Sequence, residues 1–92
     1  MIVRISTEGQ FRLDDEAQAA LNELDNAATL AVAQGDEAGF RTLFGKMLDL
    51  VRERGTPVAA EELVSSDIVL PPPDLTFEEA RSLFREEGLI PG

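Results

Sequence analysis

The 92-residue chain contains no histidine, cysteine, tryptophan or tyrosine. Without imidazole it lacks the side chain best suited to acid–base work near neutral pH and the commonest metal ligand. Without cysteine there is no thiolate nucleophile, no disulfide framework and no thiol redox role, which suits a reducing compartment. Basic side chains are few as well: eight, of which Lys46 is the single lysine, against eighteen acids, for a formal charge of −10. Long apolar runs are missing. No stretch has transmembrane length, and the opening Met1-Ile2-Val3-Arg4-Ile5-Ser6 lacks the apolar run of a signal peptide. These absences predict a cytoplasmic, cofactor-free, non-catalytic module.

The charge narrows the partners. An acidic surface repels nucleic acid phosphates, which are bound mainly through Lys and Arg. Anionic bilayers reward each added basic residue by about 1 kcal/mol, so this surface is repelled there too. The expectation is no nucleic acid and no direct membrane binding, any membrane role passing through another protein. Most of the carboxylates need no explanation beyond solubility.

What is present is enough for one small domain over residues 1–92. The chain is 43% hydrophobic, and five phenylalanines must supply most of the large packing volume. Ile2-Val3-Arg4-Ile5 and Gln10-Phe11-Arg12-Leu13 read as a β-hairpin closed through Gly9, with Val3, Ile5, Phe11 and Leu13 on the buried face and Arg4 and Arg12 outward. Asp14 is placed to cap a helix running to about Gln34, with Gly35 as its left-handed stop. Its apolar stripe is Ala17, Leu21, Leu24, Ala28, Ala31 and Val32. Asp36 opens a second helix on Phe40, Leu43, Phe44, Met47, Leu50 and Val51, stopped at Gly55 and Pro57. Two long helices joined by so short a turn fold back antiparallel.

Beyond Thr56 the pattern is irregular. Glu61–Val64 reads as a helical turn or a short strand, and Asp67–Leu70 as a third strand extending the hairpin or an extended connector. Pro71-Pro72-Pro73 leaves any ladder and suggests polyproline II. Thr76-Phe77-Glu78-Glu79 is a capping box with Leu75 at the staple position; Phe77, Ala80, Leu83 and Phe84 form the apolar face, and Gly88 closes the helix. The fold class expected is α+β: an N-terminal hairpin packed on an antiparallel αα-hairpin and a C-terminal helix.

No chemistry-bearing constellation stands out. The acids Asp14-Asp15-Glu16 and Asp36-Glu37 cluster at helix starts, where the dipole favours negative charge, and match no calcium loop. The hydroxyls of Thr56, Ser65, Ser66 and Thr76 have no histidine to activate them, and the glycines form no phosphate cradle. A carboxylate-dependent metal enzyme would need acids converging in a pocket. Three amphipathic helices on a very small sheet, however, leave room for an uncovered apolar face or hairpin end where a partner helix docks.

Three stretches together carry a resemblance: Met1–Ile5 followed by Glu8-Gly9-Gln10-Phe11-Arg12-Leu13-Asp14; Glu61-Glu62-Leu63-Val64-Ser65-Ser66-Asp67-Ile68-Val69-Leu70-Pro71-Pro72; and Glu86-Glu87-Gly88-Leu89-Ile90-Pro91-Gly92. The chain resembles the small PspA-associated proteins called PspAA along its whole length, the middle helices only in pattern and length. Pro73 departs from the small residue expected there. The resemblance implies a cytoplasmic accessory of a phage-shock-type envelope stress system, membrane-peripheral only through its partner. That partner is PspA, a long coiled-coil protein that coats stressed membrane. No catalytic residues are implied.

On this reading the first candidates for partner contact are Phe11, Leu70, Phe77 and Phe84, with Arg4 and Arg12 as exposed specificity contacts. The alternative class is an acidic regulatory inhibitor, antitoxin-like or mimicking nucleic acid. A homodimer through the edge of the hairpin is a further option, opposed by the charges of Arg4, Glu8 and Arg12.

Overall fold

The computed structural model of the chain describes residues 1–85 and 88–90; Glu86, Glu87, Pro91 and Gly92 of the terminal motif lie outside the described residues. Strands β1 (Ile2–Ile5) and β2 (Gly9–Arg12) form the expected antiparallel hairpin, Val3 opposite Phe11 and Arg4 opposite Gln10. Gly9 takes a φ of 100°, which the tight reversal requires and which a side chain would resist. Val3, Ile5 and Leu13 are buried, Phe11 is half-buried, and Arg4 and Arg12 are exposed.

Helices α1 (Asp15–Ala33) and α2 (Glu37–Arg54) form the antiparallel pair. Each begins where its sequence places an aspartate. The Asp14 carboxylate accepts from the Ala17 N–H at 2.8 Å, and that of Asp36 from the Gly39 N–H at 3.0 Å. Gly35 makes the turn between them at a φ of 72°. Helix α2 ends into Gly55, which is extended, not left-handed, and leads directly into strand β3 (Thr56–Pro57).

The sheet has four strands in the order β3-β2-β1-β4. Strand β4 (Ile68–Leu70) lies parallel to β1, so residues 67–70 are a strand and not merely a connector. Strand β3 pairs antiparallel with β2 and was not legible: two residues, one of them Pro57, carry no strand pattern, and only the edge position tolerates the proline. Both hairpin edges are thereby occupied by strands of the same chain.

The helices cover one face of the sheet, burying Val3, Ile5, Ile68 and Leu70 against α1 and α2. The segment from Val58 to Ser66 must return from β3 to β4, and it crosses the opposite face. Gln10 holds it, its amide donating to the Val64 carbonyl and the Ser66 hydroxyl, both at 2.9 Å. Glu61–Val64 thus opens with a turn and continues as an irregular strap. The proline run does not continue as a rod: the Leu75 N–H closes a turn onto the Pro72 carbonyl.

Helix α3 (Phe77–Leu83) has its full capping box. It stops earlier than Gly88, because Phe84 turns out of helical geometry into the core. There four of the five phenylalanines meet. Phe40 stacks on Phe44 with centroids 5.5 Å apart, lies 6.0 Å from Phe77, and meets Phe84 edge-on at 5.1 Å. Edge-to-face pairs of this kind contribute about 0.5–1.5 kcal/mol beyond their area, so this cluster fixes the short α3 to α2.

Candidate functional site

Two surfaces remain after the core is packed. The first is the strapped face of the sheet, where alternation sends Arg4 and Val69 outward beside Gln10 and Arg12. Arg12 pairs with Glu62 of the strap at 3.0 Å, both side chains half exposed, a contact contributing at most about 1 kcal/mol. Leu63 at the strap's crest is 97% exposed, and Val69 52%. At one end Arg52 forks onto Glu8, tying the hairpin turn to α2 and holding the Glu8 carboxyl below its usual range.

The second is an open groove of about 860 Å³ between the C-terminal half of α1 and the end of α3, lined by the exposed Leu30, the largely buried Val32 and Phe84, and Arg81 and Arg85. Leu30 is 58% exposed, the most exposed large apolar side chain of any helix. The Arg81 guanidinium lies 5.0 Å from the centre of the Phe77 ring, a contact that restrains it.

Beside this groove the tail is clamped. Asp25 of α1 is fully buried, and its two carboxylate oxygens accept from the backbone N–H groups of Leu89 (2.9 Å) and Ile90 (2.8 Å). Burial raises its pKa, opposed by those two hydrogen bonds. Gly88, at a φ of 81°, passes so close that a β-carbon would lie 2.6 Å from the Asp25 carboxylate and 2.7 Å from the Thr29 hydroxyl. Three residues of the terminal motif thereby acquire a physical role: glycine for approach, Leu89 and Ile90 as donors.

The structure does not gather the sequence-derived candidates into one patch. Leu70 is wholly buried on the inner face of β4, and Phe84 is 2% exposed in the aromatic cluster, so neither offers surface to a partner. Phe77 is half-buried in that cluster, and Phe11 half-buried opposite Pro57. Only Arg4 and Arg12 share an exposed face. Sequence reasoning missed Asp25, Leu30, Arg81 and Arg85. Asp25 had a signal: it falls at stripe spacing between Leu21 and Ala28, where a charged residue must be either solvated or held.

Among the described residues no three acidic side chains converge to hold a metal ion, and no helix is long and apolar enough to cross a membrane. The opening hairpin, the Gln10-held strap and the Gly88–Ile90 tail each overlap one of the three stretches that carry the resemblance. Compared with known families, the sequence matches PspAA, PspA-associated protein, over residues 1–92. The chain belongs to the PspAA family. No curated protein and no solved structure matches it. In this PspAA protein the hairpin and strap build one face of the sheet, and the N–H groups of Leu89 and Ile90 are bound by Asp25 of α1.

Proposed function

We propose that this PspAA protein is a non-catalytic adaptor that binds a PspA-type coiled coil in the cytoplasm during envelope stress. The family match along all 92 residues carries the reading. Supporting it, the chain has neither histidine nor cysteine, and it keeps Leu30 and Leu83 exposed on α1 and α3, where a helical partner can dock. Its charge of −10 makes contact with anionic lipid unfavourable, so association with membrane is indirect, through PspA.

Vesicle sedimentation tests this. With anionic vesicles alone the protein is expected in the supernatant; with vesicles coated by PspA from the same source it is expected in the pellet. Pelleting on bare vesicles contradicts the indirect route, and absence from PspA-coated vesicles contradicts the adaptor reading.

A further inference from the structure

We propose that the groove between α1 and α3 receives an acidic amphipathic helix of PspA, its apolar side chain seated beside Leu30 and its carboxylate held by Arg81 and Arg85. This assignment rests on the PspA-binding reading above and names the surface and the chemistry it recognises.

Of the eight basic residues, Arg12, Arg41, Arg52 and Arg54 are paired with acids of this chain. Among the described residues Arg4, Lys46, Arg81 and Arg85 have no such partner, and of these Arg81 and Arg85 line one groove together. They are four residues apart, on either side of the point where Phe84 leaves helical geometry. Guanidinium groups match carboxylates through two parallel N–H donors, and Arg81 is partly pre-oriented by the Phe77 ring, which lowers the ordering cost of that contact.

The surrounding surface sharpens the selection. With eighteen acids against eight bases, an acidic segment is repelled from most of the molecule and favoured where two arginines without an acidic partner among the described residues flank the exposed Leu30. The complementarity therefore fixes position more than it adds attraction.

Shape selects a helix. The groove is walled by helical residues, Leu30 and Val32 on α1 and Arg81 on α3, and no sheet edge opens into it, so strand addition has no backbone template. Side-chain ridges of a third helix fit between two others. The ligand signature is an apolar anchor with a carboxylate three or four residues away, the spacing that puts both on one helical face. A basic helix is disfavoured in this groove by the same arginines.

The test is the affinity of PspA for the full-length protein, measured by calorimetry at two salt concentrations. Three variants are compared with the unaltered chain: Arg81→Glu with Arg85→Glu, Leu30→Asp, and Arg4→Glu on the strapped face. All four side chains are exposed, and amide exchange checks that each variant keeps its fold. The double reversal and Leu30→Asp are expected to weaken binding at least tenfold, with Arg4→Glu within about twofold. The salt dependence of the unaltered chain should flatten in the double variant. If the unaltered chain binds PspA and both groove variants bind equally well, the groove assignment is overturned while the adaptor reading stands. If the unaltered chain does not bind PspA, the adaptor reading falls and the assignment with it.

Discussion

Single residues decide more here than composition suggests, and Asp25 is the clearest case. Its carboxylate is out of water, and burial raises its pKa despite two backbone donors. A raised native pKa means the folded state binds a proton more readily than the unfolded chain. Asp25 therefore favours folding most below its ordinary titration range, and that contribution is lost as pH rises through the raised value. Glu8 and Glu79 act oppositely: hydrogen bonds from Arg52 and from Thr76 lower them, so their support is lost on acidification. Comparison with Asp25→Asn isolates the first term. The stability of the native chain relative to this variant should increase as pH falls from 7 towards the ordinary carboxylate range, followed by urea midpoints; a constant or decreasing difference contradicts the assignment. Phe40 is the other decisive residue, touching Phe44, Phe77 and Phe84 at full burial. Phe40→Ala should cost about 3–5 kcal/mol by chemical denaturation. A loss below 1 kcal/mol would mean that the aromatic cluster does not hold α3.

At the scale of elements, legibility followed the strength of local signals. The αα-hairpin was readable because Asp14, Gly35, Asp36 and the Phe40–Phe44–Met47–Val51 stripe all agree, and the structure places caps and core there. The short strands depend on long-range pairing: β4 was visible in Ile68-Val69-Leu70, whereas Thr56-Pro57 becomes a strand only because β2 presents an edge. The end of α3 was misplaced because Gly88 looks like a stop, yet serves the tail's approach to Asp25. The start of α3 is locally encoded. The Thr76 hydroxyl accepts from the Glu79 N–H at 3.1 Å, and the Glu79 carboxylate accepts from the Thr76 N–H at 2.8 Å. Thr76→Ala should remove about 1 kcal/mol and speed amide exchange in α3 before other elements. Uniform acceleration across the sheet would instead show that α3 has no independent end.

Across the whole molecule, the packing arranges its ends around the helical pair: sheet and strap where α1 begins and α2 finishes, α3 and the groove near the turn between them. The candidate contacts were only partly legible for a simple reason. Apolar stripes announce amphipathicity but not which side is covered, so Leu70 and Phe84, chosen for their apolar character, proved to be core. Leu30, off the main stripe of α1, stayed outside. Arg4 and Arg12 were readable as outward because strand alternation has a period of two. The central claim is that this acidic PspAA protein acts by holding PspA. Size-exclusion chromatography with light scattering, on the protein alone and co-expressed with PspA, tests it most directly. Detection by refractive index is needed, since the chain has neither tryptophan nor tyrosine to absorb at 280 nm. Co-elution at a fixed stoichiometry is the result the account predicts; separate elution at concentrations where PspA is intact would contradict it.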